Sequence, residues 1–290
     1  MFQAVKTITS FGAPELQPYA TLRRPLEHRQ QNIFVAESER VVRRLLKSDF
    51  TVVSIVMPEK HLEDFRADIE ARPEPIMVYL AQRQLLETLT GYSLFQGVFA
   101  VGKIPRLASL EEILQKSPTP KLFVAVHEMA NAENVGALVR TCVAFGVHGL
   151  IVGETSSSPY LRRAVRNSMG AIFELPIFEI ETVRNADASL RRDDPSRQLN
   201  LVQVLQDLRR RGVRCIAAHP HTDKKILSQA DFTGDCCIVL GNEGDGISKE
   251  VLDNCDEAVA IPMPPTVDSL NVGAAAAVFL YEADRQRRRS

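Results

Sequence analysis

The sequence lacks the features of a membrane or secreted protein. Its 290 residues contain no apolar run that approaches the roughly 18 residues of a membrane-spanning helix. Residues 1–14 lack a basic segment followed by an apolar core, so we expect no secretory signal. The five cysteines are an odd number and form no CxxC pair and no His–Cys metal spacing. A reducing, cytoplasmic compartment is therefore the expected location.

An excess of charge of either sign is also missing. The net charge is −1, so the composition does not indicate a polyanionic partner, and any nucleic-acid surface must be local. The six histidines form no ligand cluster, and we predict no metal site. With 45% hydrophobic and 24% charged residues, the composition is typical of a soluble globular protein that is long enough for two domains.

The first hundred residues predict a small α/β unit. Apolar and β-branched runs predict strands at 32–36, 52–57 and 96–101, and a helix at 37–47 has its apolar residues on one face. Residues 104–121 carry Pro105, Pro118 and Pro120 around a short helical stretch, which is typical of a linker. We therefore predict a domain at 1–104, a linker at 105–120 and a second domain at 121–290.

Strands alternate with helices in the second domain. The expected strands are 122–126, 149–152, 175–180, 213–218, 236–240 and 258–263, with helices at 134–145, 159–173 and 202–211. This alternation predicts a parallel sheet that is covered by helices on both faces. Residues 185–200, rich in Asp, Arg and Ser, are interpreted as a solvated insertion without an assigned role.

Three blocks of this domain place polar residues where strands lead into helices. The last strand ends in prolines, and Ser269 is expected to open a helix, as its cap or in its first turn. Backbone amides and the side chains of Asp268, Ser269 and Asn271 converge there, which suits a ligand, although ordinary capping is the alternative reading. The other blocks are 241–248, after the strand 236–240, and 134–140, after the strand 122–126.

The glycines of block 241–248 let the backbone approach a ligand. Their spacing is GxxGxG after a late strand, and not the GxGxxG that opens a dinucleotide-binding domain, so a nicotinamide dehydrogenase fits poorly.

These three blocks, in this order, resemble the motifs of the SpoU (TrmH-like) RNA 2′-O-ribose methyltransferases of the SPOUT superfamily, over about residues 121–282. The resemblance implies an α/β SPOUT domain with a C-terminal trefoil knot, S-adenosylmethionine as cofactor, and a homodimer built through the catalytic domain. It also implies an N-terminal domain that binds RNA, with rRNA as the first expectation and tRNA as the second. The chain departs from the family at Asn131-Ala132, where Asp-Pro is usual, at Pro265, where Gly is frequent, and at Gly273, where a small polar residue is frequent.

The resemblance also implies the site residues. The catalytic candidates are Asn134, Arg140, Glu243, Ser269 and Asn271. The cofactor-binding candidates are Leu240, Gly241, Gly246, Ile261, Met263 and Leu270. Arg140 is expected to clamp a phosphate and stabilise developing negative charge rather than act as a base, because a guanidinium rarely gives up its proton.

Three of the catalytic candidates also have an ordinary structural explanation. Asn134 would cap its helix, Arg140 would form a surface salt bridge, and Glu243 would be a carboxylate on a Gly-rich turn. The RNA-binding candidates are basic residues, and the alternative is that they simply lie on solvent-exposed helix faces: Arg23, Arg24, Arg40, Arg43, Arg44 and Arg163. A catalytically silent RNA-binding protein with the same fold is the competing function.

Overall fold

The computed structural model describes residues 2–90, 97–180, 199–220 and 225–288. The chain forms two compact units: unit 1 is Met1–Arg106 with Pro159–Glu174, and unit 2 is Leu107–Ser158 with Leu175–Ser290. The strands of the described residues are β1 (Phe2–Ile8), β2 (Ile33–Glu37), β3 (Val52–Met57), β4 (Ile76–Ala81), β5 (Phe99–Lys103), β6 (Leu122–Val126), β7 (Gly149–Val152), β8 (Ile177–Glu179), β9 (Arg214–Ala218), β10 (Cys236–Leu240) and β11 (Glu257–Val259). The α-helices are α1 (Gln17–Ala20), α2 (Pro25–Gln30), α3 (Glu39–Leu46), α4 (Leu62–Glu70), α5 (Arg83–Thr90), α6 (Leu110–Lys116), α7 (Ala132–Ala144), α8 (Arg162–Asn167), α9 (Leu201–Arg210), α10 (Lys249–Asp253) and α11 (Val272–Arg287).

Unit 1 is built on a mixed sheet with the strand order β1-β4-β3-β5-β2. β4 pairs in parallel with β1 and β3, whereas β5 pairs antiparallel with β3 and β2. The strand predicted at 52–57 is confirmed, and those predicted at 32–36 and 96–101 lie at Ile33–Glu37 and Phe99–Lys103, with residue 96 outside the described residues. β1 and β4 were not predicted.

The segment Pro159–Glu174 belongs to unit 1, although it lies far along the chain. The ring of Phe34 on β2 lies 6.1 Å from that of Tyr160 and 5.8 Å from that of Phe173. The buried Glu37 forms ion pairs with Arg162 and Arg166. Unit 1 is therefore assembled from two stretches of chain, whereas this segment was predicted to lie in the second domain.

The single helix predicted at 159–173 is wrong. It is split into α8 and a 3₁₀ turn at Ala171–Phe173, because Met169 and Gly170 both have positive φ, 54° and 88°. A right-handed helix cannot continue through that conformation. The side chain of Arg44 packs where a Cβ on Gly170 would lie, and its guanidinium donates to the carbonyl of Met169 at 3.0 Å.

Unit 2 is built on a parallel sheet with the strand order β11-β9-β10-β6-β7-β8, which confirms the predicted sheet. Its core includes the buried side chains of Ile113 and Leu114 on α6, so the helical stretch of the predicted linker packs into this unit. The interpreted insertion at 185–200 lies mostly outside the described residues.

The connection from β11 to α11 differs from the prediction. The ladder ends at Val259 with one isolated bridge at Ala260, and α11 begins at Val272. The prediction that Ser269 opens this helix is therefore wrong, because Asn271 caps it: Asn271 Oδ1 accepts the N–H of Gly273 at 2.9 Å. The trefoil knot implied by the resemblance stays a prediction.

Arg287 holds the other end of α11. Its guanidinium donates to backbone carbonyls at the entrances of β6 and β10, at 2.7–2.9 Å: those of Pro120, Lys121, Phe232 and Gly234. None of the described helices is long and apolar enough to cross a membrane.

Candidate functional site

The site lies at the carboxyl ends of the central strands of unit 2, where two loops meet. The first loop follows β10 and contains Gly241–Gly246. Gly241 has no room for a Cβ, which would collide with the backbone of Gly246, and Gly246 itself has a φ of 71°. Glycine is required at both positions for these reasons. The second loop joins β11 to α11.

These loops enclose a cavity of about 290 Å³. All six cofactor-binding candidates line it: Leu240, Gly241, Gly246, Ile261, Met263 and Leu270. Glu243 and Ser269 line it as well, so the structure brings residues of the second and third motifs to one place.

Several lining residues were not predicted from the sequence. Ala218 is the last residue of β9, the neighbour of β10 in the sheet, and His219 and Pro220 follow it. Val259 and Phe279 add apolar surface to the lining. The available signal was the position of 218–220 at the end of a predicted parallel strand, since such ends commonly meet at a ligand site. Which strand neighbours β10 could not be read from the pattern.

The cavity is lined by both apolar and acidic side chains. Three carboxylates line it, those of Glu243, Asp245 and Asp268, and none has an ion-pair partner among the described residues. The described lining contains no Lys or Arg. A cationic ligand is therefore favoured over one that carries phosphate groups.

A chain of side-chain hydrogen bonds connects the three motifs beside this cavity. Asn271 Oδ1 is committed to capping α11, so its Nδ2 donates to Asn134 Oδ1 at 3.4 Å. Asn134 Nδ2 in turn donates to the carboxylate of Glu243. In both Asn134 and Asn271, the side-chain oxygen accepts one hydrogen bond and the side-chain nitrogen donates another, which fixes the orientation of both amides.

Asn134 does not cap its helix, so that explanation for it is wrong. The cap of α7 is Asn131, whose Oδ1 accepts the N–H groups of Glu133 at 2.8 Å and of Asn134 at 3.4 Å. Asn caps as well as Asp, and Ala132 is acceptable in the first helical position where Pro is also favoured. The departure at Asn131-Ala132 therefore leaves the start of α7 intact.

Arg140 lies elsewhere on α7. Its side chain is exposed, it does not line the cavity, and it has no hydrogen-bond or ion-pair partner in the part of the chain that is described. The surface salt bridge considered for Arg140 is thus not formed. Its guanidinium is available to a ligand that approaches from solvent.

The basic residues of unit 1 differ in their partners. Arg43 pairs with Glu39 and Asp68 and stacks on Phe65, with its guanidinium carbon 4.2 Å from the ring centroid. Arg24 pairs with Glu27 at 3.0 Å.

Four other basic candidates keep more freedom. Arg23 donates to the carbonyl of Thr90 at 3.0 Å, and Arg44 donates to that of Met169. Arg40 and Arg163 are exposed and have no partner among the described residues.

Comparison with known proteins identifies the family. The model of the SpoU rRNA Methylase family matches residues 121–196 and 195–281, which is more than half of the 290 residues. The chain belongs to the SpoU rRNA methylase family. All three motifs and the cavity lie within the matched residues.

The chain is similar in sequence to an uncharacterized tRNA/rRNA methyltransferase of Mycolicibacterium paratuberculosis. The two are 34% identical over 216 residues, which make up 73% of this chain and 63% of the relative. A similar protein of Mycobacterium tuberculosis is 33% identical over 70% of this chain and 58% of its own length. The chain thus spans less than two thirds of the length of the curated relatives it matches.

Solved structures share the fold. The SpoU methyltransferase AviRb from Streptomyces viridochromogenes, in complex with the cofactor AdoMet, matches with a TM-score of 0.77 at 24% identity over 96% of this chain and 98% of that one. An RNA 2′-O ribose methyltransferase matches with a TM-score of 0.76 at 24% identity over 97% of this chain and 99% of that one. At this level of identity the likeness establishes the fold of the chain.

Proposed function

We propose that this SpoU family member is an S-adenosylmethionine-dependent RNA methyltransferase that modifies a ribose 2′-hydroxyl. We take rRNA as the first substrate class, tRNA as the second, and the cytoplasm as the location. The observation that carries the proposal is the acidic cavity built from the second and third motifs. It is supported by family membership and by the chain of hydrogen bonds that joins this cavity to Asn134 of the first motif.

The cavity suits the proposed cofactor. The side chains of Leu240, Ile261 and Met263 offer apolar surface to an adenine ring, and the three carboxylates favour a ligand with a net positive charge. When bound, S-adenosylmethionine supplies the methyl group. A nucleotide with several phosphates would meet these three carboxylates and would find no Lys or Arg in the described lining.

The residues of the chain divide the remaining work. Asn134, Glu243 and Asn271 hold one another in a fixed orientation beside the cavity, which restricts where the ribose can sit. Arg140 is proposed to bind the phosphate next to the target ribose and to stabilise negative charge on O2′ as its proton leaves to phosphate or water.

Calorimetric titration tests the cofactor assignment. Wild-type protein should bind S-adenosylmethionine and should not bind ATP. Gly241→Ala should abolish binding, because any Cβ there collides with the backbone of Gly246. Gly234→Ala is the matched control, since a Cβ at Gly234 meets no atom within 4 Å. Absence of binding to folded wild-type protein at millimolar ligand would favour the catalytically silent RNA-binding protein.

Substitutions of Arg140 test its role. Arg140→Ala should lower turnover by about 10²-fold or more, as for other groups that stabilise developing charge, and leave the affinity for S-adenosylmethionine unchanged. Arg140→Lys should rescue poorly if the planar fork binds phosphate in two places. Arg210→Ala, at an exposed arginine of α9, is the control. Normal turnover of Arg140→Ala would remove this residue from the mechanism.

Two exposed arginines of unit 1, Arg40 and Arg163, are proposed to contribute to the RNA surface. Neither has a partner among the described residues, whereas Arg43 and Arg24 are already paired with carboxylates. Replacing both Arg40 and Arg163 with Gln should weaken RNA binding and reduce the slope of log K against log salt by roughly 1.4 to 1.8, for two lost phosphate contacts. The double variant Arg66→Gln/Arg83→Gln removes two exposed, paired arginines of the same unit and is the control.

Point variants are preferable to a deletion of residues 1–104. That deletion would strip the aromatic rings of Tyr160 and Phe173 of their partner Phe34. Loss of RNA binding in the deletion variant would then not distinguish lost RNA contacts from misfolding of the remaining chain. Mapping 2′-O-methyl groups in rRNA and tRNA from a strain that lacks the protein would identify the substrate.

A homodimer through the catalytic domain is part of the proposal. One side of α11 packs into its own unit through Val272, Ala276 and Phe279, while Val278 and Tyr281 remain 39% and 58% exposed. Two exposed apolar side chains on one helix suit burial against a second copy. Full activity of a monomer at micromolar concentration would exclude an obligate dimer.

A further inference from the structure

One side chain closes the loop after β10. Asn242 Oδ1 accepts three successive backbone N–H groups, those of Gly244 at 2.8 Å, Asp245 at 2.6 Å and Gly246 at 3.2 Å. The N–H of Asn242 itself donates to the carbonyl of Gly246 at 3.1 Å. The amide oxygen thus holds the loop together from within.

This closure sets the shape of one wall of the cavity. Gly241, Asn242, Asp245 and Gly246 all line the cavity, and three of the loop's N–H groups are already satisfied by Asn242. These donors are therefore not available to a ligand, which is instead offered a rigid surface. A wall that is ordered before binding lowers the entropic cost of ordering it upon binding.

We propose that Asn242 is a positioning residue that pre-forms the S-adenosylmethionine wall of the cavity. This inference rests on the proposed function. Asn242 does its work through the backbone of 244–246 and takes no part in methyl transfer. An asparagine that merely terminates a turn would stabilise the loop without affecting the ligand.

Three substitutions separate these roles. Asn242→Ala removes the acceptor, and we expect S-adenosylmethionine to bind about tenfold more weakly, which corresponds to about 1.4 kcal/mol. Asn242→Asp keeps an oxygen in the same place and should bind within about threefold of wild type, a difference below 0.7 kcal/mol or so. Asn242→Gln carries its oxygen one methylene further out and should behave like the alanine variant.

The measurements are calorimetric affinity for S-adenosylmethionine and hydrogen exchange of the amides of 244–246 in the ligand-free, full-length protein. We expect these amides to be protected in wild type and in Asn242→Asp, and to exchange faster in Asn242→Ala. Asn254→Ala is the matched control, because Asn254 also hydrogen-bonds through its side chain, to Glu250 and Gln206, but lies outside the cavity lining.

Wild-type affinity in Asn242→Ala, or failure of Asn242→Asp to restore both protection and affinity, would overturn the inference. Unprotected amides at 244–246 in wild type would also overturn it. If wild type itself did not bind S-adenosylmethionine, the proposed function would fail, and this inference with it. The two failures are distinguishable, because failure of the proposed function is seen in the titration of the wild type, whereas failure of this inference alone is seen in the variants or in the amide exchange.

Discussion

Replacing Arg287 with Met should destabilise unit 2 more than its position near the chain end suggests. Met keeps much of the length of the side chain but removes all four hydrogen bonds from the guanidinium to backbone carbonyls. Two of these carbonyls, those of Phe232 and Lys121, accept part-buried bonds. Those of Pro120 and Gly234 are exposed, and water can replace the guanidinium there.

The magnitude follows from the two part-buried bonds. A hydrogen bond to a charged group contributes about 1.5 kcal/mol or more, and two of them give about 3 kcal/mol. The matched control is Arg288→Met, one residue along the same helix. Arg288 is largely exposed, and its one ion-pair partner among the described residues is Asp284, one turn away, so we expect its loss to have no measurable effect on the free energy of unfolding.

Urea denaturation followed by far-UV circular dichroism measures the difference, since the chain contains no tryptophan. Because the two units need not unfold together, hydrogen exchange of the α11 amides should show that the loss is in unit 2. α11 has 16 residues and is about 24 Å long, so Asn271 lies far from Arg287. At urea concentrations well below the midpoint of unfolding, Asn271 should therefore keep its hydrogen bonds in the Arg287→Met variant. Equal stabilities of the two variants, or unchanged exchange in α11, would refute this account of Arg287.

Three further predictions concern stability. Ser38 has a φ of 94°, so Ser38→Gly should raise the free energy of unfolding by up to about 1 kcal/mol, because the relief of strain exceeds the small cost of losing the capping hydroxyl. Ser38→Ala loses the same hydroxyl but keeps the strain, and chemical denaturation compares the two variants. Glu37→Gln leaves the half-buried Arg162 without a counter-charge and should cost about 2 kcal/mol, seen as faster hydrogen exchange in α8. Burial, and to a lesser extent the charge of Arg287, lower the pKa of His148, whose Nδ1 accepts the N–H of Leu122 at 3.1 Å. The unfolded chain therefore takes up the proton first, so wild type should lose stability relative to His148→Asn as pH falls below the usual value of 6.5; parallel pH profiles would contradict this.

Much of unit 2 could be read from local pattern. The short apolar runs at 122–126 and 236–240 predict buried strands, and both strands have the predicted bounds. The glycines and polar residues of the three blocks resemble the family motifs, and all six cofactor-binding candidates named from that resemblance line the cavity. These features are local because they depend on backbone conformation and on the burial of successive residues.

Local pattern did not decide which residue caps α7 and which caps α11. Asn131 and Asn134 are both good caps three residues apart, and Ser269 and Asn271 offer the same ambiguity. The tertiary structure selects Asn131 and Asn271 as caps. Asn134 is left to bridge Asn271 and Glu243, which lie more than a hundred residues away in sequence.

The sequence by itself determined the family, the parallel sheet and the six cofactor-binding candidates that line the cavity, because each depends on short stretches of chain. Only the tertiary structure assigned Pro159–Glu174 to unit 1. It also distinguished the paired Arg43 from Arg40 and Arg163, which have no partner in the described part of the chain. The physical reason is the same in both cases. The free energy of a side chain depends on the partners that packing brings to it, and those partners come from residues that no local pattern connects.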